Sequence, residues 1–214
     1  MPTQRFYNIR PKKQAAIKAA IIRQLSSGPL EKFSAKKIAE ELELATGSFS
    51  GYFESREDMV NYVIQDYIDC EERLFKEFLE KLRKNIFTGV TEITEIVEKL
   101  TDFAADTGLL PVLNNLFSEI KLSVGSSFEY IAKETMEIME QVIPLLLAKV
   151  GKRSKMDKEP LCNTIKDAVG LGVLCYRYTL IEIYNDYENK KKILQKFSLQ
   201  FEIMLAGFLA VIKV

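Results

Sequence analysis

Residues 34–56 bring hydroxyls, glycines and cations together in one short stretch: Ser34, Lys36, Lys37, Thr46, Gly47, Ser48, Ser50, Gly51, Tyr52 and Arg56. Such groups bind rather than react. Hydroxyls both donate and accept hydrogen bonds, lysine and arginine neutralise phosphate, and glycine lets a backbone approach phosphate or base edges closely. Catalysis finds little to work with here. The chain has no histidine, which removes histidine-dependent triads and any zinc site built on imidazole. No glycine-rich loop follows a strand to cradle phosphate. The chain is read as not an enzyme, with no catalytic residue, no metal site and no cofactor. Cys70, Cys162 and Cys175 are odd in number and sit in apolar helical patterns, as reduced thiols of a cytosolic protein do.

The elements that position these groups follow from spacing. Ser34 is placed to cap a helix over residues 35–42, whose Ile38, Ala39 and Leu42 form a small apolar face. Glu43, Leu44 and Ala45 make a turn, and a second short helix is expected over residues 46–53. Phe49 and Phe53 are four apart and share its inward face. An ideal wheel then turns Gly47, Ser48, Ser50 and Gly51 outward, with Tyr52 at the edge of the packed face. Two short helices across a three-residue turn describe a helix-turn-helix, whose second helix enters a DNA major groove. The competing reading is a Gly/Ser-rich connector between longer helices.

Charge supports the first reading. Residues 1–37 carry nine bases against the single acid Glu31, in a chain whose 30 bases and 30 acids cancel. A basic head on an acidic body calls for an anionic partner, although a solvated basic face has the same composition.

Beyond the head, apolar residues recur at three and four through the rest of the 214 residues. The fold class expected is all-α. Ser55 through Asp58 reads as a capped start for a long helix, and Pro144 should kink or divide the helix that contains it. Residues 151–159 form an exposed basic loop. No signal peptide is visible, and the apolar tail 204–214 is too short to span a bilayer. The expected division is a DNA-binding domain over 1–55 and a helical effector-binding and dimerisation domain over 56–214.

The head resembles the N-terminal domain of the TetR/AcrR family of transcriptional regulators. Phe33-Ser34-Ala35-Lys36-Lys37-Ile38-Ala39-Glu40-Glu41-Leu42 looks like that family's second helix. Gly47-Ser48-Phe49-Ser50-Gly51-Tyr52-Phe53-Glu54-Ser55-Arg56-Glu57-Asp58-Met59 looks like its recognition helix and the start of its fourth. The resemblance implies phosphate contacts from Ser34 and Arg56, with Lys36 and Lys37 in reach of the backbone. It implies base-edge contacts from Thr46 and Ser48, a DNA-facing Tyr52 and a buried Phe53. Three positions depart from the pattern. Glu43 stands for a turn glycine, Ala45 for a capping serine, and Ser50 for a phosphate-binding tyrosine, which together imply weaker or less sharply specific DNA binding. Gly47 and Gly51 add a helix-propensity cost of up to roughly 1 kcal/mol each.

The same resemblance implies that the C-terminal body binds an effector and dimerises through its last two helices. Phe75, Phe78, Phe103, Phe117, Phe128, Met139 and Tyr176 are candidate linings for an apolar pocket. Each also fits ordinary core. Phe197, Phe201, Leu205, Phe208 and Ile212 form a broad stripe on the last helix, the candidate dimer interface. The expected partners are a double-stranded DNA operator, a second copy of the chain and a small apolar or aromatic effector, with no membrane. The expected function is a cytoplasmic, ligand-responsive regulator of the repressor kind. The alternative is a helical dimer whose DNA binding is weakened or lost.

Overall fold

In the computed structural model, every regular element among the described residues is helical. The structure describes residues 1–84, 89–120 and 129–212; the side chains of residues 46, 48, 118–120, 129–135 and 138 lie outside that description. The chain divides into two compact units, Met1–Cys70 with Phe103–Ser127 and Glu71–Asp102 with Phe128–Val214. These units differ from the division expected between residues 55 and 56: residues 56–70 and 103–127 pack with the head.

The first unit begins with a single helical turn, α1 (Gln4–Tyr7), followed by α2 (Pro11–Ser26), with Pro11 in the first turn where its missing N–H is no loss. A 3-10 turn (Leu30–Lys32) leads to α3 (Ala35–Glu41) and α4 (Thr46–Phe49). The first half of α5 (Arg56–Lys84), the end of α6 (Gly89–Asp106) and α7 (Leu110–Ile120) complete it. α7 packs on α2. Asn115 of α7 donates from Nδ2 to the carbonyls of Leu25 (2.7 Å) and Gly28 (3.2 Å), satisfying acceptors that the end of α2 leaves open.

An aromatic cluster forms the centre of this unit. Phe6 is fully buried and meets Tyr52, Phe53 and Tyr62 at ring-centroid distances of 6.1, 5.2 and 5.0 Å. Phe49 joins through Tyr52 and Phe53. The mixture of edge-on and tilted pairs suits ring quadrupoles. A segment that precedes the first clear amphipathic stripe therefore supplies the central residue of the head.

One expectation about helix extent changes, and one of two alternatives is decided. The second helix of the motif stops at Phe49 rather than Phe53, and residues 50–52 form a turn closed by Tyr52 N–H donating to the Phe49 carbonyl at 2.9 Å. Glycines at 47 and 51 weaken the helix on both sides of that end. Pro144 does not divide α8 (Glu129–Val150), which runs through it. The helix is held on both sides of the proline, by Val142 against Leu79 and Leu82 and by Val150 against Leu161 and Ile165.

The second unit contains the rest of α5 and α6, α8, α9 (Lys158–Asn185) and α10 (Lys190–Ile212), with α9 packed between α8 and α10. Lys149 Nζ donates to the Leu82 carbonyl at 2.7 Å, and Ser154 Oγ to the Ile212 carbonyl at 2.7 Å. Asp102 accepts from Tyr187 Oη at 2.7 Å and pairs with Lys190, fixing the 3-10 turn (Tyr187–Asn189) before α10. Cys70, Cys162 and Cys175 form no disulfide with one another.

Candidate nucleic-acid interface and ligand cavity

The helix-turn-helix is built from two backbone devices. Ser34 has extended φ and ψ, and its Oγ accepts from the Lys37 N–H at 3.4 Å, the N-cap that the residue types called for. An accepting hydroxyl keeps its own hydrogen to donate outward. At the other end of α3, Leu44 N–H donates to the Ala39 carbonyl (2.8 Å) and Glu43 N–H to the Glu40 carbonyl (3.1 Å). This six-to-one and five-to-two pair is the Schellman motif, which needs a left-handed residue at its corner. Glu43 occupies that corner with φ +53°.

Gly108 shows what the same motif looks like without strain. After α6, Leu109 N–H donates to Ala104 (2.8 Å) and Gly108 N–H to Ala105 (3.1 Å), with Gly108 at φ +70°. A Cβ costs roughly 1–2 kcal/mol in this region. Glu43→Gly is therefore expected to raise stability by about 1 kcal/mol, the relief being partly offset by the freedom glycine has when unfolded. Urea unfolding followed by circular dichroism reads it directly. No gain, or a loss, would mean that the Glu43 side chain makes a compensating contact.

α4 places its residues much as the wheel predicted. Phe49 and Phe53 are 1% and 3% exposed, whereas Gly47 and Ser50 face solvent. A Cβ built on Gly47 meets nothing within 4 Å. The side chains of Thr46 and Ser48 lie outside the described residues. Lys36 and Lys37 are exposed in the first turn of α3, Lys36 in a loose pair with Glu40 at 3.7 Å. Arg56 is exposed too, and its Nη1 donates to the Leu30 carbonyl at 3.0 Å, tying the start of α5 to the turn before α3.

Tyr52 requires a correction. It is 4% exposed, inside the aromatic cluster, not facing outward. Once the helix ends at Phe49 the wheel loses its phase, and the turn carries Tyr52 inward. Gly51 is also less open than expected, because Arg5 lies over it: an ideal Cβ would fall 2.7 Å from Arg5 Nη1. Thr3 fastens this segment, donating from Oγ1 to the Gly51 carbonyl (2.8 Å) and from N–H to the Tyr52 carbonyl (2.9 Å). Arg5 and Lys13 approach the Tyr52 ring at 5.8 and 6.0 Å. Both cations thus stand beside the end of α4. Sequence reasoning counted them in the basic head without placing them there.

The second unit holds a cavity of about 150 Å³. Of the candidate lining residues, Phe75, Phe78 and Tyr176 border it. Phe103 and Phe117 belong instead to the first unit, where Phe117 is core at 1% exposure. The chain turns at Gly108 and returns α7 to α2, a tertiary choice that aromatic content does not reveal. Met139 is absent from the lining, with its Cε 3.9 Å from the Cβ position of Gly170, and Phe128 lies outside the described residues. The missed walls come chiefly from α9, with Ala168, Val169, Gly172 and Val173, and from α10. Phe201, Leu205 and Phe208 face the cavity, while Phe197 and Ile212 are buried within the chain at 1% and 0%. Of the stripe expected at a dimer interface, two residues are thus buried within the chain and three, partly exposed, border the cavity.

Another row is exposed. On α9, Leu171, Leu174 and Tyr178 are 57–67% exposed, and on α10, Leu199, Ile203 and Val211 are 57–64% exposed. Residues 187–212 contain an 18-residue window of mean hydropathy 1.3, long and apolar enough to cross a membrane, with 11% of that window buried. That composition reflects a helix apolar on its inward and outward sides alike.

Beside the cavity sits a buried polar group. Glu71 of α5 is 4% exposed; it accepts from Tyr176 Oη at 2.7 Å and pairs with Arg177 Nη1 at 2.9 Å. Burial pushes the Tyr176 phenol well above its usual range, and the Glu71 charge adds to the shift. Tyr176 therefore stays a hydrogen-bond donor at neutral pH.

Fold and site together define, among the described residues, an all-helical chain with an N-terminal helix-turn-helix and a helical unit that borders an apolar cavity. That fold is shared with the crystal structure of a TetR family transcriptional regulator from Chloroflexus aurantiacus J-10-FL, at TM-score 0.56 over 97% of this chain and 98% of that one, with 15% identity. No protein-family description and no curated protein matches the chain.

Proposed function

We propose that the protein is a DNA-binding transcriptional regulator that acts as a homodimer, and that ligand occupancy of its second unit releases it from an operator. The observation that carries this reading is the capped helix-turn-helix, with Gly47 and Ser50 outward and Ser34, Lys36, Lys37, Arg5, Lys13 and Arg56 around it. The fold shared with a TetR family regulator supports it. Residues 1–55 would carry DNA recognition and residues 56–214 effector binding and dimerisation. Release follows when the effector favours a state whose two recognition helices no longer match the half-site spacing.

Binding to DNA from upstream of the protein's own gene, titrated with salt beside an unrelated duplex, tests the reading. Sequence-selective binding that weakens steeply with salt is expected. Arg56→Ala should weaken every sequence alike and reduce the salt slope by about one phosphate. A loss confined to one sequence would refute Arg56 as a backbone contact. A second reading, a dimer that has lost operator recognition, is favoured by the four-residue α4 and the strained Glu43. It predicts equal, weak binding to both duplexes.

The homodimer rests on the outward rows of α9 and α10. Large apolar side chains exposed in rows on packed helices call for a covering surface, and a second copy in isologous contact supplies one of matching chemistry. Leu174→Glu with Ile203→Glu should convert the dimer to monomer in light scattering, with helical content retained. Wild-type protein that is monomeric at micromolar concentration would overturn the assignment.

A further inference from the structure

We propose that the cavity of the second unit selects an uncharged, compact ring molecule and rejects its charged analogues. The inference deepens the reading of this cavity as the effector site. Size is the first argument: about 150 Å³ of space between apolar walls is the scale that holds a single small ring. Chemistry is the second. Phe75, Phe78, Phe201 and Phe208 supply aromatic walls, and among the described lining residues Tyr176 alone carries a hydroxyl, amide or charge.

That one polar group is already committed. Tyr176 gives its hydrogen to Glu71 at 2.7 Å, and Glu71 is balanced by Arg177 at 2.9 Å. An anionic ligand would give up hydration and find no free donor among the described lining residues. A cationic ligand would find the Glu71 carboxylate behind Tyr176 already paired. Burying either charge without a partner is costly, so both are excluded, while a neutral ring loses no hydrogen bond on entry. The Phe75 ring stands edge-on to Tyr176, with centroids 5.5 Å apart at 83°, showing the packing that an aromatic guest would extend.

Gly172 offers a way to close the space. A Cβ placed there meets Met204 and Phe201 at 3.5 Å, an ordinary contact, so alanine fits and a longer side chain would occupy the cavity. The probes are toluene, benzoate and benzylammonium, which share one ring and differ in charge. The chain has no tryptophan, so calorimetry and thermal shift are the readouts. Toluene is expected to bind and raise Tm, with both ions at least tenfold weaker. Gly172→Leu should weaken toluene more than tenfold while Gly172→Ala retains binding. Val142→Phe, filling from α8, serves if Gly172→Leu does not fold. Failure of toluene to bind, or an ion binding within tenfold of it, overturns the proposal. Operator binding measured on the same ligand-free sample separates the two readings: it persists if only the cavity assignment is wrong, and is missing if the regulator reading is.

Discussion

Phe6→Ala should destabilise the N-terminal unit by about 3–5 kcal/mol, the usual range for removing a fully buried phenylalanine. Phe6 is 0% exposed and touches three rings of the head besides its neighbour Tyr7. It also lies in a helix of four residues with little structure of its own to fall back on. Removing the ring leaves a hole bordered by Tyr52 and Phe53, the residues that seat the end of α4. Thermal unfolding followed by circular dichroism measures the loss of stability, and the DNA binding proposed above should weaken with it. Phe6→Leu, which refills much of the volume, should recover a large part of both. Wild-type stability in Phe6→Ala would show that residues 1–9 lie outside the core of the head.

The second large effect is expected at Glu71. Glu71→Ala leaves the Arg177 guanidinium, 13% exposed, without its carboxylate, and the Tyr176 phenol without its acceptor. Breaking one side of a buried ion pair typically costs about 3–5 kcal/mol. Glu71→Gln keeps an acceptor for Tyr176 and should cost less, so the difference between the two variants isolates the charge. A pH dependence follows from the raised phenol. A folded-state pKa above the unfolded value means that the neutral form contributes stability below about pH 10, the ordinary tyrosine value, and that this contribution is lost as pH rises through the folded pKa. Urea unfolding across that alkaline range should show a decline that Tyr176→Phe reduces. An identical decline in both proteins would place the titrating group elsewhere.

What the sequence disclosed and what it withheld divide along a physical line. Local devices were legible: the Ser34 cap, the inward pair Phe49 and Phe53, and the turn at Glu43 all depend on residues within a few positions of one another. Periodicity marked the helices reliably because burial imposes it. Phe6 escaped because four helical residues are too few to show a period. Tyr52 was misplaced because a wheel assumes a continuing helix, and this one ends at Phe49.

In the second unit, spacing identified which faces are apolar but not what covers them. Phe201, Leu205 and Phe208 have the pattern of a dimer stripe, and they line the cavity. α9 and α10 are apolar on more than one side, so the pattern does not assign a partner to each side. The same limit applies to Phe103 and Phe117. Their aromatic character announced burial, while their place in the first unit depended on the turn at Gly108 and on where α7 packs.

The left-handed corner at Glu43 has a genetic consequence. Every glutamate codon becomes a glycine codon by one transition at its second base, so the strain in the turn is a single nucleotide from relief. On the regulator proposed above, a population selected for tighter operator occupancy should acquire substitutions at residue 43 early and repeatedly, ahead of changes at Lys36, Lys37 or Arg56. With φ at +53°, glutamate should hold the turn short of its attainable stability, which makes codon 43 a ready dial for the firmness of the head.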